Sequence, residues 1–291
     1  MTAKLIDGKT IAAQVRQRLA QRVEALRCRR RKPRLAALVI GEDPASKSYA
    51  LSQQKNAREV GIDHRLIELP KTTTQGEAVE VVEAMNRDPA VCGIMLHLPV
   101  PNGLDGFALQ QRIAPSKDVE GVGATNLGLL AMGQEALAPC TAAAAMACLQ
   151  FVVPDLTGRD VVIVGRSLIV GKPLAMLLLH AHATVTQCHT RTRDLVEHTR
   201  GAEVLLVAAG SPGLIGAEHV APGTIVIDIG VHRVKIIDAQ GNEQVRTVGD
   251  VRFDEVSPIA SAITPVPGGV GPVTVAMLLA NTVQACERSS P

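Results

Sequence analysis

Aromatic side chains are almost missing from this chain: of 291 residues none is Trp, one is Tyr and three are Phe. Base stacking on protein rings is therefore disfavoured, and the single Tyr49 stands out. Net charge is also small, +2 with 20% charged residues, which removes the electrostatic case for a nucleic-acid partner. The one dense basic run, Arg27-Cys-Arg-Arg-Arg-Lys-Pro-Arg34, reads as the solvated end of a helix. The six cysteines, at 28, 92, 140, 148, 188 and 286, include no Cys-x-x-Cys pair and follow no secretory signal pattern. They read as reduced thiols of a cytoplasmic protein, with no metal site expected. Apolar runs are only strand-sized, so no membrane span is expected, and neither an internal repeat nor a low-complexity tract is present.

What the chain does have is enough length and apolar content, 46% hydrophobic, for two domains with full cores. Ile11, Val15, Leu19, Val23 and Leu26 recur at helical spacing. A strand Leu35–Ile40 follows, then a loop Gly41–Ser46 leading into a helix with Tyr49 that ends near Gly61. Next come a strand His64–Leu69, a capping box Thr74-Gln-Gly-Glu77 opening a helix, and a strand Gly93–Leu98. A second alternating series starts past Pro139. Thr141 is expected to cap an Ala-rich helix, and strands are expected at Val161–Val164, Thr184–Cys188, Glu203–Ala208 and Thr224–Ile229. Helices are expected from about Gly171 and near Asp194. Pro272 is expected as the first residue of a last helix, to about Ala285.

This alternation predicts an α/β fold with parallel sheets and crossover helices. Two domains with a cleft between them are expected. The first is an α/β substrate domain, 1–137, completed by the terminal helix 272–291. The second is a Rossmann-like dinucleotide-binding domain, 138–271.

Two regions carry candidate chemistry. In Val161-Val-Ile-Val-Gly-Arg-Ser-Leu-Ile-Val-Gly-Lys-Pro173 a strand passes through glycines into a helix, so Gly165 permits a tight turn, Gly171 permits close packing, and the helix N-terminus offers N–H groups to a phosphate. The next strand ends Cys188-His-Thr-Arg-Thr192, without an acid for a ribose 2′-hydroxyl. Arg166, Thr190 and Arg191 suit a 2′-phosphate, which favours NADP over NAD; the alternative for Arg191 and Arg193 is ordinary loop charge. In the other half, the Asp43–Tyr49 segment, the strand end His97-Leu-Pro-Val-Pro101 and the loop Lys117-Asp-Val-Glu-Gly121 fall at the carboxyl ends of parallel strands, where ligands bind. A helix through Tyr49 puts Gln53 on the same face one turn on. Lys55 lies roughly 200° around the helix from position 53.

These segments, with Pro44-Ala-Ser-x-x-Tyr49, Gly93-Ile-x-x-x-Leu-Pro-x-Pro101, Pro139-Cys-Thr141, Gly165-Arg-Ser-x-x-Val-Gly-x-Pro173 and Thr264-Pro-Val-Pro-Gly-Gly-Val-Gly-Pro-x-Thr274, resemble the bifunctional methylenetetrahydrofolate dehydrogenase/methenyltetrahydrofolate cyclohydrolase family. The resemblance runs in order along nearly the whole chain. It implies a homodimer that binds a folate substrate in the interdomain cleft and NADP on the second domain. It implies substrate contacts from Ser46, Pro99, Pro267, Gly268 and Gly269. Cofactor contacts are implied for Gly165, Arg166, Ser167, Val170, Gly171, Thr190, Arg191 and Ile229.

The departures fall mainly in one pocket. The family pattern has Tyr-x-x-x-Lys, Gln before Leu-Pro-x-Pro, and Lys-Asp-Val-Asp-Gly; here the positions are Tyr49 with Gln53, His97 and Glu120. Ala142 and His232 also replace the usual Pro and Asn. Tyr49, Gln53, His97 and Glu120 are the candidate catalytic set. Hydride loss from the methylene bridge needs mainly alignment, whereas hydrolysis of the methenyl cation needs protons moved, which a carboxamide cannot do. NADP-dependent dehydrogenation with weak or absent cyclohydrolase activity is therefore expected. The alternatives are a dehydrogenase for a related pterin or one-carbon carrier, and a folate- or nucleotide-binding protein without turnover.

Overall fold

The computed structural model describes residues 3–237 and 243–289; the side chains of residues 44–48 and 236 fall outside the described set. The chain forms two compact units. Ala13–Cys140 with Val275–Pro291 make the first, and Met1–Ala12 with Thr141–Thr274 make the second.

The first unit is built on a parallel sheet in the order Asp63–Leu69, Arg34–Ile40, Gly93–Leu96. Its central strand is buried beyond Arg34, as a parallel strand covered on both faces must be. Ala36, Leu38, Ile40, Ile94 and Leu96 pack with Ala78, Val82 and Met85 of the helix Gln75–Arg87. That helix starts at the expected capping box: Thr74 Oγ1 accepts from the Glu77 amide at 3.3 Å, and Glu77 Oε2 accepts from the Thr74 amide at 2.8 Å. Its far end is closed by the Lys117 ammonium, which donates to the carbonyls of Met85, Asn86 and Asp88 at 3.1, 2.8 and 2.7 Å, a cation at the negative end of the helix dipole. The strand expected to reach Leu98 stops at Leu96, because Pro99 has no N–H to offer a ladder; the Leu98–Pro99 peptide is cis.

The second unit carries six parallel strands in the order Lys4–Leu5, Ala262–Ile263, Ile225–Asp228, Val204–Val207, Asp160–Val164, Thr184–Cys188. From Asp160–Val164 the chain goes first to the strand on one side and then to the strand on the other. The order therefore reverses there, the position at which open α/β sheets bind ligands.

Several expectations need correcting. The helix Cys140–Val152 already includes Thr141, so Thr141 does not cap it. The last helix is Val270–Arg288, with Pro272 inside the first turn, where a missing N–H has no intrahelical partner to lose. The antiparallel pair His232–Ile237 and Glu243–Val248 was not expected, nor were the two-residue strands Lys4–Leu5 and Ala262–Ile263, which are too short for a periodic signal. Ile11, Val15, Leu19, Val23 and Leu26 of the helix Gly8–Cys28 are all buried as expected. Among the described residues no helix is long and apolar enough to cross a membrane, and no His, Cys, Asp and Glu group is arranged to hold a metal ion.

Candidate active site

In the first unit the helix Pro44–Glu59 places Tyr49 and Gln53 on one face, since residues four apart lie one above the other. Ala50, Gln53 and Ala57 are fully buried, whereas Lys55 is exposed; the helix thus turns the carboxamide inward and the lysine outward. Gln53 Nε2 donates to the Met95 sulfur at 3.0 Å, and its Oε1 finds no hydrogen-bond partner among the described residues.

Met95 and His97 are two residues apart at the end of a strand and so project to the same side. The His97 amide is held by the Leu38 carbonyl at 2.8 Å. Its ring meets that of Tyr49 edge-on, with centroids 5.9 Å apart and planes at 75°. His97 Nε2 has no partner among the described residues. Burial, followed by the neighbouring His64, drives its pKa down to about 4, so the imidazole is neutral at neutral pH. The Tyr49 phenol is pushed upward by desolvation, with the Gln53 amide pulling the other way.

The segment after Ser116 runs beside the strand Gly93–Leu96: Asp118 bridges to Ile94, and the Ile94 amide donates to the Lys117 carbonyl at 2.8 Å. Asp118 is structural. Its carboxylate accepts from the amides of Gly121 and Gly123 and from Asn126 Nδ2, at 3.0, 2.8 and 3.0 Å. Glu120 instead reaches Gln110 Nε2 at 3.5 Å, and desolvation, then the charge of Asp118, raises it to about 7. The Tyr49 phenol responds to both Gln53 and Glu120 and its ring meets that of His97, so Tyr49, Gln53, His97 and Glu120 come together. Lys117 is committed to backbone carbonyls and does not stand in for an amine beside the phenol. Pro99 is exposed at the strand end. The Ser46 side chain lies outside the described residues.

In the second unit Gly165 has φ +130°, and a Cβ there would stand 2.1 Å from the Ala208 carbonyl oxygen; one on Gly171 would stand 2.2 Å from the Gly165 carbonyl oxygen. Only glycine fits either position. Ser167 Oγ accepts from the amides of Val170 and Gly171 at 3.1 and 3.4 Å and so shapes the turn that opens the helix Gly171–His180. Thr190 and Arg191 are exposed after the strand Thr184–Cys188, and Arg166 is exposed on the glycine turn. The turn at 189–192 is fixed by the His189 amide on Thr192 Oγ1 at 2.8 Å and the Arg191 amide on His189 Nδ1 at 3.1 Å. Ile229 is tied to the Val207 carbonyl at 2.8 Å. Gly268, at φ +111°, accepts from the Gly8 amide at 3.0 Å; Pro267 is exposed and Gly269 buried.

Sequence reasoning missed one organising group. Asp250, fully buried, accepts from the amides of Ala209, Gly210 and Ser211 at 2.7, 3.0 and 2.8 Å and from His232 Nε2 at 2.7 Å. It thereby fixes the loop beyond Val207 that stands against Gly165. Asp228, also buried, accepts from the amides of Gly230, Asp250 and Val251. The partners of Asp250 lie up to 41 residues away, beyond any local spacing rule. The Val-Gly-Asp at 248–250 was the one visible hint.

Residues 6–120 match the tetrahydrofolate dehydrogenase/cyclohydrolase catalytic domain, and residues 139–290 match the tetrahydrofolate dehydrogenase/cyclohydrolase NAD(P)-binding domain. The chain is 48% identical over 283 residues to the bifunctional protein FolD 1 of Rubrobacter xylanophilus, covering 97% of each. It is 43% identical to bifunctional FolD of Halalkalibacterium halodurans, covering 99% of this chain and 100% of that protein. Among solved structures it resembles the bifunctional FolD of Campylobacter jejuni, with TM-score 0.90, 40% identity and coverage of 98% and 99%. It also resembles the Trypanosoma brucei methylenetetrahydrofolate dehydrogenase-cyclohydrolase complexed with NADP cofactor and inhibitor, with TM-score 0.91, 36% identity and coverage of 99% and 98%. With both domains matched in order, the chain belongs to the tetrahydrofolate dehydrogenase/cyclohydrolase family.

Proposed function

We propose that this protein oxidises 5,10-methylenetetrahydrofolate to the 5,10-methenyl cation with NADP⁺, and that it hydrolyses that cation to 10-formyltetrahydrofolate only weakly. The observation that carries the second half is the fully buried carboxamide of Gln53 one helical turn from Tyr49. The names of the relatives argue for both activities. The chemistry of this pocket argues for an unequal pair.

When bound, the nicotinamide accepts the hydride. What the protein contributes to that step is placement: Gly165 and Gly171 let the turn pack against the Ala208 and Gly165 carbonyls, where a Cβ would clash, so that the helix N-terminus can face a phosphate, and Arg166 and Arg191 offer guanidinium groups suited to a 2′-phosphate. The lone pair of a folate ring nitrogen expels the hydride, so no strong base is needed. Hydrolysis differs, because a positioned acid–base group typically supplies about 10²–10⁴ in rate. Gln53 carries an amide that does not titrate and so cannot serve as a general acid or base. A neutral His97 with pKa about 4 is a feeble base at neutral pH.

A second reading rests on Glu120. At about 7 it titrates where a general acid–base works best, and it would sustain hydrolysis without the lysine. Reduced-nicotinamide absorbance with methylenetetrahydrofolate and NADP⁺ tests the dehydrogenase. Decay of methenyltetrahydrofolate absorbance tests the hydrolase; a rate equal to that of lysine-bearing family members would favour the second reading. Turnover of another reduced pterin in its place would point to a re-cut substrate, and binding without any turnover to a non-catalytic relative. A cytoplasmic homodimer is the assembly proposed from the family resemblance, and light scattering should give twice the chain mass of 30.6 kDa.

A further inference from the structure

Asn281 is buried on the helix Val270–Arg288, in the part of it that belongs to the first unit. Its side-chain nitrogen donates to the Val119 carbonyl at 2.8 Å and to the Ala138 carbonyl at 2.9 Å, and lies 3.6 Å from the Cys140 sulfur. These acceptors are 162 and 143 residues away along the chain, so one carboxamide clips two separate backbone segments to the terminal helix. An amide nitrogen with two hydrogens suits two carbonyls.

Both segments frame Glu120. Val119 precedes it and seats on the strand Gly93–Leu96, where a Cβ on Gly93 would stand 2.4 Å from Val119 Cγ1. The Val119 carbonyl also accepts from the Cys140 thiol at 3.2 Å, and the Glu120 carbonyl accepts from the Cys140 amide at 3.3 Å. On the other side Gly121, at φ +69°, lies so close that a Cβ there would stand 2.4 Å from the Leu137 carbonyl oxygen and 2.7 Å from that of Ala138. The Glu120 carboxylate itself is held loosely, since its bond to Gln110 Nε2 is 3.5 Å long, beyond the usual range. Where that carboxylate stands is therefore decided by the backbone that carries it.

We propose, resting on the folate pocket read above from Tyr49, Gln53, His97 and Glu120, that Asn281 is a positioning residue for the reaction: it fixes the backbone on both sides of Glu120 and so aims the carboxylate at the folate without touching substrate itself. Without the carboxamide the Val119 and Ala138 carbonyls lose their common anchor, the loop between them spreads, and water reaches Glu120. Burial, then Asp118, holds Glu120 up at about 7. The Tyr49 phenol and the Cys140 thiol are the other titratable groups that respond to it, while the Lys117 ammonium is turned to the carbonyls of Met85–Asp88. Rehydration removes the largest cause of the shift, so the Glu120 titration should move down.

The test compares full-length Asn281→Ala with wild type by two independent readouts. Carboxyl carbon-13 NMR, with the Glu120 signal assigned by its loss in Glu120→Gln, should show the Glu120 midpoint falling from near 7 toward the ordinary carboxylate range. Dehydrogenase kcat/KM for methylenetetrahydrofolate should fall about ten- to a hundredfold, the scale of a small misplacement, with KM for NADP⁺ within about twofold of wild type. Asn281→Ser, which keeps one donor, should move both readouts the same way by less, and it decides the matter if the alanine variant does not fold. Thr282→Ala, whose lost hydroxyl donates to Leu278 of its own helix at 2.9 Å, should lower the melting temperature and leave both readouts in place. A folded Asn281 variant with the wild-type Glu120 midpoint and kcat/KM, or equal shifts in Thr282→Ala, would overturn the proposal. Wild-type protein inactive toward methylenetetrahydrofolate would instead sink the dehydrogenase reading, and the NMR titration alone would then judge Asn281.

Discussion

Gln53 gives its one described donor contact to the thioether of Met95 at 3.0 Å, while its carbonyl oxygen stays without a partner among the described residues. Sulfur is a weak acceptor, so this side chain is held by packing more than by hydrogen bonds. Gln53→Lys should place a titratable amine beside Tyr49 and raise methenyltetrahydrofolate hydrolysis by about 10²–10⁴, the range such groups supply. Dehydrogenase kcat/KM should change less than threefold. Unchanged hydrolysis in a folded variant would place the deficit elsewhere or show there is none.

Glu120 and His97 make opposite demands on pH. Glu120 is raised from 4.5 to about 7, so the folded state holds more protons than the unfolded state in that window, and its contribution to stability is lost as pH rises through it. His97 is lowered from 6.5 to about 4, so its neutral folded form is favoured as pH rises through its own window. The two oppose each other between pH 4.5 and 6.5. Melting temperature against pH should therefore rise toward neutrality more steeply in Glu120→Gln than in wild type, and less steeply in His97→Gln. Parallel curves for all three proteins would remove this account. The pH profile of dehydrogenase kcat/KM should also lose an apparent pKa near 7 in Glu120→Gln.

The main strands and the Thr74 capping box were legible because each is written within a few residues: apolar runs such as Leu35–Ile40 and the Ser/Thr-x-x-Glu signal act locally. The clustering of Tyr49, Gln53, His97 and Glu120 was legible because parallel strands deliver their carboxyl ends to one edge. What escaped was non-local. Lys4–Leu5 is a strand only because Ala262–Ile263 is there to pair with it, and the antiparallel ribbon after Ile229 carries exposed Ile237 and Val245, which blur the alternation that marks a strand. The shift of Glu120 depends on Asp118 and on burial, neither of which spacing can reveal.

The Asp250 carboxylate is filled by three backbone amides and His232 Nε2. Asp250→Asn replaces one acceptor oxygen by a donor that faces either the Ala209 and Gly210 amides or the Ser211 amide and His232. At about 1–3 kcal/mol for a buried group left without its partner, unfolding free energy should fall by roughly 2 kcal/mol. Because the loop it holds stands against Gly165, NADP binding should weaken at least tenfold by fluorescence titration. His232→Asn should weaken it far less, since the three amides remain.

Arg191 follows a strand that ends without an acidic residue, its backbone pinned by His189 and its side chain exposed. A guanidinium so placed contributes only if it meets a phosphate, and charge-assisted pairs of this kind are worth roughly 1.5–3 kcal/mol. Arg191→Ala should raise KM for NADP⁺ between about tenfold and a hundredfold while leaving that for NAD⁺ within twofold, and high salt should narrow the difference. Equal effects on both nucleotides would assign Arg191 to the loop's stability and move discrimination to Arg166, where the same pair of assays on Arg166→Ala would find it.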